Sequence, residues 1–130
     1  MPTDELIQRL IRFSELHGVI VKFTGQTDRY QYGHWNGARK KIVLWDGDCE
    51  RKFVLKILLH EMGHWLLGHV SVVDGGTPRA QGMAEAVALW VMRYFGYEYT
   101  FPDHYIYPRG EDLILVEDAV YKVRQAVKRG

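Results

Sequence analysis

Cysteine is nearly missing from this sequence: Cys49 is the only one in 130 residues. A lone thiol excludes an internal disulfide and suits a reducing compartment. Charge of one sign is missing too, because 17 Lys and Arg face 16 Asp and Glu, a formal net charge of +1. That balance argues against a dedicated nucleic-acid or membrane-surface binder. The short clusters Arg39-Lys40-Lys41 and Arg51-Lys52 read as solvated faces and not as a phosphate footprint. No apolar run approaches the roughly 18 residues that a membrane span needs. The opening Met-Pro-Thr-Asp-Glu has neither the basic nor the apolar segment of a signal peptide. These absences predict a soluble, cytoplasmic protein that touches neither nucleic acid nor membrane directly. Its length predicts one domain over residues 1–130, large enough to bury a core without staples.

What is present is a motif set in an apolar helix. Residues 53–69 contain His60-Glu61-Met62-Gly63-His64, an H-E-x-x-H pattern. Helix positions i and i+4 share a face, with Cβ atoms about 5–6 Å apart, so His60 and His64 can hold one Zn2+ from the same side. Glu61 is displaced round the helix, within reach of a water on the metal but not of the metal itself. Between Phe53 and Leu67 the only charged side chains are Lys56 and Glu61. The helix should therefore be buried nearly all round, where a carboxylate and two imidazoles are costly without partners. The plain alternative is a core helix whose histidines are hydrogen-bonded.

The rest of the chain predicts an α+β fold. Leu6, Ile7, Leu10, Ile11, Phe13 and Leu16 recur at helical spacing over 3–17, with Thr3 as N-cap and Gly18 closing the C-terminus. Val19–Phe23 reads as a strand, 25–28 as a turn, and 29–35 as an alternating strand. Asn36-Gly37 predicts a two-residue type I′ turn into a third strand, Lys41–Trp45, which completes a small antiparallel sheet. Asp48 or Cys49 then caps the metal helix. That third strand leads straight into the helix, so it is the expected edge for pairing with an extended peptide.

After a loop over 70–76, Thr77-Pro78 predicts a clean helix start, and the helix runs to Phe95 before Gly96. Glu85 is its only acidic residue. From His64 to the helix end near His69 is about 7.5 Å, and from Pro78 to Glu85 about 10.5 Å, at the helical rise. An antiparallel return brings Glu85 to the level of His64, where it serves as the third zinc ligand; its alternatives are solvent or an ion pair with Arg79. A last helix over 111–128 carries Leu113, Val116, Val120, Val123 and Val127 at 3-4-3-4 spacing. That stripe predicts docking on the core, with a homodimer or partner contact as the rival.

The run Ile42-Val-Leu-Trp-Asp-Gly, then Glu50 through His60-Glu61-Met62-Gly63-His64 to His69, followed by a helix bearing Glu85-Ala86-Val87-Ala88-Leu89, resembles the ImmA/IrrE-type metallopeptidases over residues 18–96. The resemblance implies a minimal gluzincin fold, with His60, His64 and Glu85 on zinc and Glu61 catalytic. It also implies a protein substrate, typically a helix-turn-helix repressor. No helix-turn-helix segment accompanies the motif here, so any link to transcription runs through the substrate.

The expected activity is zinc-dependent hydrolysis of peptide bonds inside a protein or peptide. Its rival from another class is a non-catalytic, zinc-containing sensory or binding domain that acts through a partner. A buried base such as Glu61 favours catalysis, since a structural site has no use for one. A SprT-like peptidase acting on DNA-bound proteins is disfavoured by the near-neutral charge and the lack of a placed third histidine. His69 lies about 140° round the helix from His64 and reads as a helix-end residue, as does His17. His34 is assigned to the sheet. The aromatic segment 101–108, which includes His104, is the expected source of a second electrophile.

Overall fold

Leu6, Ile7, Leu10 and Ile11 form the buried stripe of α1, Thr3–Leu16. The computed structural model describes residues 1–25, 32–69 and 76–129, and over these the α+β class expected from the sequence is found: four helices and one three-stranded sheet. The N-cap of α1 is Pro2 and not Thr3, and no side chain caps that end. The Thr3 hydroxyl instead lies 2.6 Å from the Tyr97 hydroxyl. Gly18 (φ 79°) ends the helix as expected.

The sheet differs from the antiparallel one expected. β1 (Ile20–Thr24) runs parallel to β3 (Lys41–Trp45), β2 (Gly33–Asn36) runs antiparallel to it, and the order is β1-β3-β2. The most apolar strand takes the middle: Ile42 and Leu44 are fully buried, whereas Ile20 in β1 is half exposed. β3 is thus paired on both sides, so it is not the free edge expected beside the metal helix; β2 is. The turn between β2 and β3 is also wider than a two-residue I′ turn. Asn36 pairs with Lys41 in the ladder, leaving residues 37–40 as the loop. Asn36 Oδ1 accepts from the Arg39 backbone N–H at 3.2 Å, and Lys40 takes the positive φ, 49°. Most of the turn expected at 25–28, the start of the strand expected at 29–35, and most of the loop expected at 70–76 lie outside the described residues.

α2 (Arg51–Leu66) carries the motif and is the hub of the fold, packed against α1, β2, β3 and the following helix. Its N-cap is Glu50 and not Asp48 or Cys49; the Cys49 N–H closes a tight turn onto the Gly47 carbonyl at 2.7 Å. Burial extends almost round its C-terminal half, from Leu58 to His64. α3 (Pro78–Tyr94) starts as expected, Thr77 Oγ1 accepting from the Ala80 N–H at 3.1 Å with Pro78 in the first turn. α4 (Glu111–Arg129) buries Val116, Ala119, Val120, Val123 and Val127 against the core, so its apolar stripe docks internally. No described helix is long and apolar enough to cross a membrane.

Two close approaches set the positions that matter for the site. A Cβ on Gly33 would stand 2.6 Å from Ile57 Cγ2, so β2 lies directly on α2 there. Two strand residues advance about 6.6 Å and four helix residues about 6 Å, so Trp35 arrives opposite Glu61. A Cβ on Gly63 would stand 2.9 Å from the Ala84 carbonyl oxygen, so α2 and α3 cross nearly backbone to backbone between His60 and His64.

Candidate metal centre

The i, i+4 spacing does on α2 what it predicts: the His60 and His64 rings lie together, centroids 4.9 Å apart, and each residue is about 5% exposed. Their Nε2 atoms address one point. His60 Nε2 is 2.8 Å and His64 Nε2 is 3.1 Å from the same atom, Gln81 Oε1 on α3. Their Nδ1 atoms face elsewhere. His60 Nδ1 meets Glu85 Oε1 at 3.1 Å, and His64 Nδ1 meets His69 Nδ1 at 2.9 Å.

Glu85 therefore sits near His60, on the side of its ring away from Nε2, and not level with His64. It is fully buried and saturated. Beyond His60, its Oε2 accepts from Tyr99 OH at 2.6 Å and pairs with Lys56 Nζ at 3.3 Å. Arg79, the cation proposed as its alternative partner, forms a two-pronged pair with Asp112 at 2.6 Å on each arm. Among the described residues, no three His, Cys, Asp or Glu side chains are placed to hold one metal ion. The two histidines fit half of a zinc site, and the oxygen beside them belongs to an amide.

Burial and neighbours divide the protonation states. Burial pushes His60 down, but the hydrogen bond to Glu85 and the charges of Glu61 and Glu85 overcome it and raise its pKa. Its two nitrogens face two oxygens, Glu85 Oε1 and Gln81 Oε1, and the protonated ring can serve as donor to both. Burial, with the charges of His60 and His69, pulls His64 down to about 3, so His64 is neutral, its Nε2–H donating to Gln81 and its Nδ1 accepting from His69. Burial raises Glu85, yet hydrogen bonds from His60 and Tyr99 and the Lys56 charge leave it below the ordinary carboxylate value. Glu61, 8% exposed, moves the other way. Burial raises its pKa against the pull of His60 and a hydrogen bond from the Trp35 backbone. The two buried carboxylates are thus shifted in opposite directions, Glu85 down by its hydrogen bonds and Lys56, Glu61 up by burial.

Several site residues carry weak signals in the sequence. Gln81 stands four residues before Glu85, and Lys56 four before His60, so each shares a face with a residue already of interest. His69 gave no such signal. Gly68 (φ 77°) turns the chain back, the His69 N–H bonds to the His64 carbonyl at 2.9 Å, and the Trp35 indole N–H bonds to the His69 carbonyl at 2.6 Å. The 101–108 segment supplies Tyr105, whose ring lies 5.9 Å from that of His60. Burial raises its pKa, helped by the charges of Glu85 and Glu61. His104 packs on Tyr105, centroids 4.2 Å apart. His17 and His34 lie apart from the site, His17 bonded to the Phe13 carbonyl at 3.0 Å and His34 exposed on β2. No family model, curated protein or solved structure matches this chain.

Proposed function

We propose that this chain is a zinc-dependent metallo-endopeptidase, similar in its motif to the ImmA/IrrE-type gluzincins. The observation that carries the reading is the convergence of His60 Nε2 and His64 Nε2 on one point, with the buried carboxyl of Glu61 on the same turn of helix. The chemistry that zinc supplies when bound is Lewis acidity towards a carbonyl oxygen and a lowered pKa for water. Glu61 takes a proton from the attacking water and passes it to the leaving amine. Its raised pKa brings it towards the working pH, which is where a general base is most effective. Tyr105, whose ring lies 5.9 Å from that of His60 and whose hydroxyl holds its proton more firmly for being buried, donates a hydrogen bond to the oxyanion that develops at the scissile carbonyl.

The substrate is an extended peptide segment of a protein, a helix-turn-helix repressor by the family resemblance. It pairs along β2, the edge strand that packs on α2, since the Trp35 backbone already bonds to Glu61. The near absence of thiols supports a cytoplasmic setting.

The test is metal analysis of protein purified without added metal, followed by a peptide-cleavage screen. About one zinc per chain is expected, lost in His60→Ala and His64→Ala. Absence of zinc, or zinc that survives both substitutions, overturns the reading. The non-catalytic alternative is favoured by one observation: among the described residues, no third His, Cys, Asp or Glu joins the two histidines. Metal bound through both histidines, with function unchanged in Glu61→Gln, would establish that alternative.

A further inference from the structure

Resting on that reading, we propose that the third protein ligand of the metal is Gln81, through its amide oxygen, and that Glu85 positions His60. The site would then be a neutral His-His-Gln set, with the carboxylate one layer behind.

Three observations support this. Gln81 Oε1 is the atom that both Nε2 atoms already address, at 2.8 and 3.1 Å, so it needs no reorganisation of the helices to share an ion with them. Glu85 is committed on both oxygens, to His60 Nδ1, Tyr99 and Lys56. Turning it to the Nε2 side would leave Lys56, itself four-fifths buried, without its partner, and abandoning a buried ion pair is strongly unfavourable. Moreover, a carboxylate on the far nitrogen of a ligating histidine is the usual support of a metal site, fixing tautomer and ring orientation. Glu85 has that position relative to His60.

Accessibility separates the two α3 residues in the same sense. Gln81 and Glu85 are one turn apart on one face, but Gln81 is half-buried and Glu85 is sealed beneath His60. A catalytic metal keeps one position open to water or substrate, which places it at the Gln81 end. Replacing a carboxylate ligand by an amide removes one negative charge from the first layer. Affinity falls with ligand charge, and the ion retains more of its own charge for polarising a substrate.

The experiment places cysteine at each position and reads cobalt. Gln81→Cys, Glu85→Cys and wild type are stripped with chelator and titrated with Co(II). A thiolate on cobalt gives an intense ultraviolet charge-transfer band that a nearby but unligated thiol does not. The band is expected in Gln81→Cys and in neither of the others. In parallel, calorimetric zinc titration is expected to show Gln81→Glu binding more tightly than wild type, because a carboxylate adds a negative charge to the ligand set. Glu85→Gln, which preserves shape, is expected to weaken binding by about 10–100-fold, the range for a residue behind a ligand. Should Glu85→Cys fail to fold, Gln81→Cys and Gln81→Glu still decide. A missing band in Gln81→Cys, or zinc affinity equal to wild type in both Gln81→Glu and Gln81→Ala, overturns the assignment while leaving a metal held by His60 and His64. No zinc or cobalt binding by wild type overturns the metallopeptidase reading itself.

Discussion

Gly63 and Ala84 meet across the α2–α3 contact so closely that a Cβ on the glycine would lie 2.9 Å from the Ala84 carbonyl oxygen and 3.0 Å from its Cα. Both are backbone atoms, so neither can swing aside. The contact sets the register that brings Gln81 and Glu85 to the two histidines.

Gly63→Ala should therefore force α3 outward. Although alanine favours helix by about 1 kcal/mol over glycine, overpacking costs about 1–3 kcal/mol, and the net expected effect is destabilisation. Zinc affinity should fall with it, because His60 and His64 lose their register with α3. Thermal melts and zinc titration of the variant check both. Unchanged stability and affinity would mean that the helix contact does not control the site.

Gly82 makes a closer approach still: a Cβ there would run into the Ile106 carbonyl. Gly82→Ala should displace the segment that carries Tyr105 while the two histidines stay on α2. The expected result is a substantial loss of peptidase kcat with zinc content near one per chain. Tyr105→Phe should reproduce the kcat loss with a melting temperature close to wild type. Should Tyr105→Phe cleave as fast as wild type, Tyr105 has no part in stabilising the oxyanion.

Glu61→Gln separates chemistry from architecture. It keeps shape and removes the base, so activity should fall by about 10²–10⁴-fold. Zinc content should stay near that of wild type, because the carboxyl is not a ligand. A carboxyl whose folded pKa is raised destabilises the native state increasingly as pH rises above its ordinary value. The metal-free variant should therefore be at least as stable as metal-free wild type at pH 8. A chelator-treated pair compared by thermal melts would reveal the opposite order if it occurs, and loss of zinc would make Glu61 a ligand.

His64 governs the acid limb of the metal-free protein. Its folded pKa, about 3, lies below its ordinary value of 6.5, so the unfolded chain binds a proton that the folded chain refuses. Stability from this group is complete above pH 6.5 and is lost progressively as pH falls towards 3. In chelator, the melting temperature of wild type should decline through that window. His64→Leu should decline less steeply until the pH falls below 4.5, where the unfolded chain's Glu85 takes up a proton that the folded carboxylate, its pKa also depressed, refuses. Parallel curves for the two proteins would show that His64 is not held neutral by burial.

Much of this architecture is legible in the chain because it depends on neighbours in sequence. The i, i+4 spacing of His60 and His64 pairs two rings on any helix. Thr77-Pro78 starts α3 through local capping, and the valines of α4 declare a buried stripe before any partner is known. An alternating strand such as β3 announces which side chains face the core, Ile42 and Leu44, yet its period of two is the same for parallel and antiparallel neighbours. Strand order was decided by burial: β3, as the most apolar strand, took the centre, between β1 and β2. The register of α3 on α2 was decided in the same way. Counting helical rise from the ends of a connecting loop set Glu85 level with His64, but the Gly63–Ala84 contact and not the loop fixes the depth of packing. A shift of about one helical turn, about 5.4 Å, puts the carboxylate behind His60 and an amide in front of both rings. Sequence alone determined which helix carries the paired histidines; close packing between two backbones decided which side chain of the facing helix meets them.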